Sequence, residues 1–437
     1  MKATEFQEQT VTELERISWL SARDPSKEFC SLMHHFNVES LKACFNKLDG
    51  KKAVGTDRIN KEEYGENLIV NLEELITKMK RMAYRPQAVR QVLIPKEGKP
   101  NAKRPLGISN FEDKLVQKRM QELLESIYEP IFLNCSYGFR PNKGCHDAIK
   151  ALDKYLYKNE VKIVIDVDLE NFFGTINHEV LENILREKIK DTKLMRYIIR
   201  MFKAGMLDCG ELKMSDEGVQ QGSCCSPVLA NIFAHYVIDK WFEEEVKSHT
   251  SQVEMFRYAD DIIICCNKET DANRIKEALS KRLAKYGLKL NEDKTKLVKF
   301  SKAKYRQEIK QGCFDFLGFT FYLGKTRKGG ITPKMRTSGK RMRAKLKRVN
   351  TWARMVRNKY LLTEIWKKLY VKLRGHIQYY GVTNNSKYIN RFIHRVKRIM
   401  FKWLNRRSQR RSFTWEKFEL FVKRKPLPKV KIVHSLF

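Results

Sequence analysis

Three aspartates stand where the sequence otherwise predicts buried strands. Asp168 lies near the end of the apolar run that begins at Val161, while Asp260 and Asp261 sit in a predicted two-residue turn between the strands of 256–266. Carboxylates in such apolar surroundings need compensation, because an unpaired buried charge is strongly destabilising. Two such sites favour convergence on hard divalent cations such as Mg²⁺, which leaves coordination positions for substrate phosphates. Aspartates that only cap a hairpin are the alternative.

The elements that would position these aspartates alternate between helix and strand up to about residue 325, and the remainder is predicted to be helical. The first ninety residues have apolar residues at helical spacing, and a β-hairpin is predicted for 89–109, with a turn at Gly98 to Pro100. Pro227 marks the start of a helix, where its missing N–H costs nothing. Further strands are predicted at 161–169, 256–266, 297–299 and 314–322.

Charge separates the chain into two parts. The 437 residues carry a net charge of +36. Residues 321–437 hold 34 Lys and Arg against 3 acidic residues, a net +31, which leaves +5 for residues 1–320. A block this cationic predicts a polyanionic partner whose counterions are released on binding. A disordered basic tail is the alternative, although Ile365, Trp366 and Leu369 are among apolar residues at the spacing of a helix face.

Length and composition predict a protein with a sizeable core and without a membrane span. The length predicts two or three domains, and 42% hydrophobic residues suffice for a core. No run of about 18 uncharged apolar residues is present, and the N-terminus lacks a secretory leader pattern. None of the ten cysteines forms a C-x-x-C pair, which predicts reduced thiols in a cytosolic protein and no zinc module.

Ordered sequence blocks carry a family resemblance. The box FRYADD (256–261) resembles the Tyr-Ala-Asp-Asp box of reverse transcriptases, and further blocks of that family surround it in order. KKAVGTDRI (51–59) is similar to a block that retroviral enzymes lack, and LRGHIQYYGV (373–382) resembles the maturase, or X, domain signature. The chain is therefore identified as a member of the group II intron reverse transcriptase–maturase family over roughly residues 38–400. The further blocks are IPKEGKPNAKRPLGISN (94–110), SYGFRPNKGCHDAI (136–149), VIDVDLENFFGTINH (164–178), GVQQGSCCSPVLANI (218–232), LNEDKTKLV (290–298) and FDFLGFTFY (314–322).

The resemblance implies a catalytic and metal-binding triad of Asp168, Asp260 and Asp261, which would hold two Mg²⁺ ions. Phe173 would exclude a ribose 2′-hydroxyl and so select deoxynucleotides, with a core aromatic as the alternative. Lys96 and Arg104 would bind the incoming triphosphate from the two arms of the hairpin. The other residues implied to bind the nucleotide are Leu169, Gln221 and Lys294, the last as a candidate partner of the leaving pyrophosphate.

Template and primer contacts are implied at two places. Arg140 is a candidate template-binding residue, with a structural ion pair as the alternative, and Phe316, Leu317 and Gly318 resemble the primer-gripping turn. Gln220 stands where the family more often has proline, which leaves the stiffness of that loop open.

The fold implied is α/β, a right-hand polymerase with fingers and an antiparallel palm sheet, followed by an α-helical thumb and maturase domain. The expected divisions are a helical N-terminal extension (1–90), fingers and palm (91–325), thumb and maturase domain (326–405) and a basic nucleic-acid-binding tail (406–437). The HNH endonuclease motifs of many relatives are absent from the sequence, so second-strand cleavage is not expected.

The function implied is RNA-directed DNA synthesis combined with maturase activity. The expected partners are the intron RNA template, a DNA primer or target and dNTPs, with no membrane, in a cytoplasmic, nucleoid-associated ribonucleoprotein that is a monomer or dimer. Two alternatives stay open. One is an RNA-binding splicing cofactor without polymerase activity, and the other is a domesticated reverse transcriptase in phage defence.

Overall fold

A computed structural model describes residues 2–95, 103–204, 206–208, 211–213, 217–219, 222–407 and 413–436. The helices are α1 (Lys2–Arg23), α2 (Val38–Lys47), α3 (Lys61–Glu66), α4 (Leu68–Lys80), α5 (Phe111–Tyr128), α6 (Cys145–Lys158), α7 (His178–Lys188), α8 (Thr192–Phe202), α9 (Ser226–Ala234), α10 (Lys247–His249), α11 (Glu269–Lys285), α12 (Lys302–Arg306), α13 (Gly339–Val356), α14 (Leu362–Tyr380), α15 (Ser386–Leu404) and α16 (Trp415–Arg424). The strands are β1 (Val89–Pro95), β2 (Lys103–Ile108), β3 (Ile163–Asp168), β4 (Met206–Asp208), β5 (Glu211–Lys213), β6 (Val253–Tyr258), β7 (Asp261–Cys266), β8 (Lys296–Lys299), β9 (Phe314–Phe316), β10 (Phe319–Lys325) and β11 (Ile331–Thr337).

These strands form three sheets, with the orders β2-β1-β4-β5, β6-β7-β3-β8 and β11-β10-β9. The hairpin predicted for residues 89–109 is confirmed, since β1 and β2 are antiparallel with Ile94 opposite Arg104. β4 runs parallel to β1 and antiparallel to β5. The α/β class is therefore confirmed together with antiparallel pairing.

The sheet β6-β7-β3-β8 carries all three aspartates. The apolar residues of its two inner strands are covered on both faces: Ile262, Ile263 and Ile264 of β7 are at most 1% exposed, as are Val164 and Ile165 of β3. β6 and β7 are joined by a two-residue turn, which lies one residue earlier than predicted.

The helix that begins after Cys225 changes its winding. Pro227 lies at its start, as predicted, and α9 continues into two π-helical turns at His235–Asp239 and Phe242–Val246 before α10. In the π turns the N–H of Lys240 donates to the carbonyl of His235, and that of Lys247 to Phe242. Each bond spans five residues, one more than in an α-helix.

The prediction that residues beyond 325 are helical is wrong for 331–337. This stretch is β11, which pairs antiparallel with β10 from Phe319–Thr337 to Lys325–Ile331. Gly329, with φ +81°, lies in the turn between them, where a residue without a side chain accommodates the left-handed backbone. Met335 on β11 is 1% exposed, so the strand contributes to the core despite its basic residues.

The chain folds as two compact units, which are residues 1–145, 167–264 and 270–296, and residues 146–166, 265–269 and 297–437. The boundaries fall within β3, β7 and β8, so the units interleave along the sequence. They do not follow the predicted divisions at 90, 325 and 405, which remain predictions.

The cationic last quarter is folded, which contradicts the alternative of a disordered tail for the residues described. α14 buries Ile365, Leu369 and Leu373 to 1% exposure or less. The segment predicted as a basic tail contains α16, whose Phe418 is fully buried against Trp366 and Phe401. Among the described residues, no helix is long and apolar enough to cross a membrane.

Candidate active site

Asp168 is the last residue of β3 and lies beside Lys294. The Lys294 Nζ is 2.8 Å from Asp168 Oδ1, with both side chains about half exposed, so solvent screens the pair. Two further bonds hold this segment against the strand end. The N–H of Asp168 donates to the Thr295 hydroxyl at 3.2 Å, and the N–H of Asn291 donates to the Asp168 carbonyl at 2.9 Å. The chain thus places an ammonium group on the candidate metal ligand.

The second carboxylate site lies on the turn between β6 and β7. The turn residues are Ala259 and Asp260, so the prediction that Asp261 lies in the turn is wrong: it is the first residue of β7. Ala259 has φ +57°, which costs free energy in a residue with a side chain. The turn therefore depends on its surroundings to keep this conformation.

The pKa of Asp260 is raised by its surroundings. Surrounding protein atoms raise the pKa of Asp260 by reducing its solvation, and the negative charge of Asp168 raises it further. The side chain is nevertheless exposed at the surface, so it is accessible to a ligand. A cation bound by both carboxylates would relieve the repulsion between their like charges.

The donor chemistry fits Mg²⁺, since carboxylate oxygens are the ligands that this ion takes from proteins. Within the part of the chain that the structure describes, however, no group of three His, Cys, Asp or Glu side chains is gathered to hold a metal ion. The triad of Asp168, Asp260 and Asp261 as metal ligands therefore remains a prediction.

Phe173 lies in a 3₁₀ turn (Phe172–Gly174) just after β3. Phe172 is 2% exposed and belongs to the core, whereas Phe173 is half-buried. The ring of Phe173 meets that of Phe172 edge-on, with centroids 5.6 Å apart. Its carbonyl accepts a hydrogen bond from the N–H of Val219 at 2.8 Å. The ring is thus supported on one side and accessible on the other, as a sugar-selecting residue requires.

The predicted nucleotide-binding residues are distributed over several elements. Arg104 is exposed on β2, and Leu169 is buried and forms an isolated bridge with Leu290. Gly222, with φ +121°, approaches the backbone of Gly107 on β2 so closely that a Cβ would overlap it. Lys96, Gln221 and Gln220 lie outside the described residues.

Arg140, the candidate template-binding residue, lies in a structural ion pair. The guanidinium is 9% exposed and its Nη2 lies 2.8 Å from Oε1 of Glu129. It also donates to the carbonyls of Leu133 and Ser136, at 2.8 and 2.9 Å. The structural ion pair, which the sequence left open, is therefore what the structure contains, because these donors bind the loop that precedes Arg140.

The predicted primer-gripping turn lies in the second unit. Leu317 and Gly318 form the turn between β9 and β10 with φ of +48° and +85°. Phe316 is buried, and the hydroxyl of Tyr379 donates to the Leu317 carbonyl at 2.8 Å. The turn conformation is thus fixed by α14, while its contact with a primer stays a prediction.

Sequence reasoning missed Gly138 and Phe139 of the 136–149 block as neighbours of the aspartate turn. A Cβ on Gly138 would lie 2.5 Å from the backbone nitrogen of Ala259, so only glycine allows this approach. Phe139, with φ +55° and 48% exposed, meets Phe173 and Tyr258 with ring centroids 6.3 Å apart in both pairs. An exposed aromatic residue in the left-handed region is unusual, but only a structure shows that backbone angle.

The family can now be stated. Residues 94–321 match the model of the reverse transcriptase (RNA-dependent DNA polymerase) family, slightly more than half of the chain. The match includes both carboxylate sites, Phe173, Lys294 and the turn at Leu317, so the chain belongs to the reverse transcriptase family. Within it, its relatives and motifs are those of the group II intron reverse transcriptase–maturases.

Three curated relatives are informative. Group II intron-encoded protein LtrA of Lactococcus lactis subsp. cremoris is 33% identical over 227 residues, which cover 52% of this chain and 37% of that protein. Protein YkfC of Escherichia coli (strain K12) is 32% identical over 280 residues, 57% of this chain and 73% of YkfC. Putative COX1/OXI3 intron 2 protein of Saccharomyces cerevisiae is 31% identical over 265 residues, 60% of this chain and 29% of that protein. The chain thus spans little more than a third of LtrA.

Proposed function

We propose that this chain is an RNA-directed DNA polymerase that copies intron RNA into cDNA with two Mg²⁺ ions, and that it also binds the intron RNA as a maturase. The observation that carries the polymerase proposal is that Asp168, paired with Lys294, ends β3 and Asp260 directly precedes the neighbouring strand β7, within the stretch that matches the family model. The maturase proposal is supported by the folded cationic quarter.

In this proposal, Asp168, Asp260 and Asp261 hold the ions, which are typical of the family. Bound Mg²⁺ would activate a primer 3′-hydroxyl and stabilise the leaving pyrophosphate. Lys294 neutralises Asp168 before ions bind, and its half-exposed ammonium group is then within reach of an anionic leaving group. Arg104 contributes its fork of N–H donors to the triphosphate from β2.

Nucleotide selection rests on Phe173. The ring packs edge-on against Phe172 and Phe139, and the backbone bond to Val219 holds the peptide group that carries it. A rigid flat ring beside the sugar would exclude a 2′-hydroxyl. Phe316, Leu317 and Gly318 would support the primer strand.

RNA binding is proposed for the helices of the cationic quarter. α13 exposes Lys340, Arg343, Lys347 and Arg354 at spacings of three, four and seven residues, which gives one basic face. Such a face binds phosphates without reading sequence. Trp366 and Tyr380 are only 4% and 2% exposed and belong to the core, whereas Trp352 and Tyr379 are half-buried and would be the stacking surfaces for unpaired bases. Specificity for one intron would then come from RNA shape and from those bases.

The decisive experiment is primer extension on an RNA template with Mg²⁺, comparing the wild type with Asp168→Ala and Asp260→Ala. Each substitution should reduce DNA synthesis by orders of magnitude, because the ions act in the chemical step. Affinity for the RNA, measured by filter binding, should stay within about twofold of the wild type. Extension at the wild-type rate by either variant would refute the metal assignment.

The same experiment, with the intron RNA and an unrelated RNA as templates, distinguishes this proposal from a splicing cofactor and from a phage-defence polymerase. A splicing cofactor without polymerase activity would bind intron RNA but extend no primer in the wild type. A polymerase that serves phage defence would extend primers without preference for an intron RNA. For the polymerase–maturase we propose the cytoplasm, with the nucleoid as the place of contact with DNA.

A further inference from the structure

A buried ion pair lies beneath the turn that carries Asp260. Arg257 and Asp239 are both 0% exposed, and they form a bidentate pair with Nε–Oδ1 at 2.7 Å and Nη2–Oδ2 at 2.5 Å. Removing two charges from water is costly, and a well-packed apolar pair of similar volume often serves stability as well or better. Stability alone therefore does not explain this pair.

The remaining N–H groups of Arg257 donate hydrogen bonds to the turn and to residues of two neighbouring segments. Nη1 is 3.3 Å from the carbonyl of Ala259 and 3.1 Å from Oδ1 of Asn231, and Nη2 is 2.8 Å from the hydroxyl of Ser136. Ala259 is the residue with φ +57°, and Asp260 follows it directly. The guanidinium thus binds the carbonyl of the peptide group that leads into Asp260.

The same network reaches the turn from a second side. The Asn231 amide donates to the carbonyl of Gly138 at 2.6 Å, and Gly138 is the residue whose backbone packs against Ala259. Asp239, at the other end of the network, is the last residue of the first π-helical turn. One guanidinium therefore joins the turn, the 136–138 segment and the long helix.

We propose that Arg257 is a positioning residue for metal binding: held by Asp239, it fixes the Ala259–Asp260 turn in the conformation in which Asp260 can ligate Mg²⁺. The proposal rests on the proposed polymerase function and deepens it. Lysine cannot replace arginine here, because a single ammonium group cannot bind Asp239, Ser136 and the Ala259 carbonyl in one planar arrangement.

The test compares three full-length variants. Arg257→Lys keeps the charge beside Asp239. The double variant Arg257→Met/Asp239→Leu removes both charges together, so that no unpaired charge stays buried. The control is Arg119→Met/Glu122→Leu, since Arg119 is also 0% exposed and paired with Glu122 but bonds the carbonyl of His35 rather than the turn. Thermal melting establishes that each variant is folded.

Two readouts separate positioning from general stability. Hydrogen–deuterium exchange of peptides covering 255–264 should be faster in Arg257→Lys and in the double variant than in the wild type or the control, without metal. Mn²⁺ binding, measured calorimetrically, should weaken at least about tenfold in the same two variants, with a parallel rise in the Mg²⁺ concentration for half-maximal extension.

Unchanged exchange in the turn and unchanged Mn²⁺ affinity in Arg257→Lys would overturn the proposal, whether or not the double variant folds. Equal weakening in the control would overturn it too, since the effect would then follow from any lost buried pair. Failure of the polymerase proposal would be recognised separately, because the wild type would then extend no primer. The comparison of hydrogen–deuterium exchange between variants would still show whether Arg257 holds the turn.

Discussion

At the scale of single residues, Phe173 offers the sharpest test of substrate choice. Phe173→Ala should lower the ratio of kcat/KM for dNTPs over ribonucleotides by about tenfold or more, because the steric clash with the 2′-hydroxyl disappears. Single-nucleotide extension with each substrate measures the ratio. Phe300→Leu is the control, since Phe300 is 2% exposed with its ring packed on Phe314, and its truncation should reduce stability without relaxing selection. An unchanged ratio in Phe173→Ala would assign the selection to another residue.

His376, in the block that resembles the maturase signature, makes stability depend on pH. It is 4% exposed, stacks on Phe392 with centroids 3.9 Å apart, and neither ring nitrogen has a hydrogen-bond partner among the described residues. Burial lowers its pKa to about 3, with the charge of Lys345 adding to the effect. The folded state therefore binds fewer protons than the unfolded state between pH 6.5 and 3, and stability falls as the pH decreases through this window.

His376→Phe should remove that dependence. The variant should be at least as stable as the wild type at pH 8, and about 2 kcal/mol more stable than it at pH 5, because phenylalanine needs no proton. Urea denaturation at the two pH values gives the difference. His394→Phe, at an exposed position of α15, is the control for the substitution itself. A gain that is equal at both pH values would contradict a role for protonation.

At the scale of elements, the β6–β7 hairpin depends on its glycine neighbour. Gly138→Ala would place a Cβ 2.5 Å from the nitrogen of Ala259 and 3.0 Å from the carbonyl carbon of Tyr258, and neither backbone atom can move without moving the turn. DNA synthesis should fall at least about tenfold while the fold is retained, as measured by primer extension and circular dichroism. Gly375→Ala is the control, because nothing lies within 4 Å of a Cβ there. Wild-type activity in Gly138→Ala would mean that the turn tolerates displacement.

The local elements around the site could be predicted because their patterns are strong. Apolar runs ending in aspartate predicted β3 and the β6–β7 hairpin, and Pro227 predicted a helix start. β11 was missed because its charges resembled those of the neighbouring basic helices, whereas the signal for a strand was the alternation around Met335. The partners of Arg140 are the Glu129 carboxylate and backbone carbonyls of a loop, and no residue pattern encodes where such carbonyls lie. The signal for Arg257 in the sequence was weak, because β6 also contains the charged residue Glu254.

At the scale of the whole molecule, charge asymmetry should determine how affinity depends on salt. Replacing Lys340, Arg343, Lys347 and Arg354 with glutamine should reduce the salt slope of log affinity for intron RNA by about 3, at about 0.7 to 0.9 for each phosphate that is no longer neutralised. Truncation at Tyr322 is a poorer test, because it would cut β10, where Tyr322 pairs with Lys334 of β11.

The control for this prediction is the same number of charge changes outside the cationic quarter. Arg274, Lys281, Lys285 and Lys289 are exposed on α11 and the segment after it. Their replacement with glutamine should leave the salt slope within about 1 of the wild type. Equal slopes for the α13 variant and the wild type would mean that α13 does not hold the RNA. The maturase role would then have to be assigned to other helices.

The π-helical turn at His235–Asp239 determines where the sequence can tolerate the loss of a residue. A π turn contains one residue more than the corresponding α turn, so deleting a single residue there would let the helix regain regular α winding at little local cost. The residues beyond the deletion would keep their places relative to α9, whereas a single-residue deletion within the regular α turns of Ser226–Ala234 would rotate every later position, including Asp239, by about 100°. We therefore expect single-residue gaps in relatives that keep the arginine to fall within the π turns and not within α9.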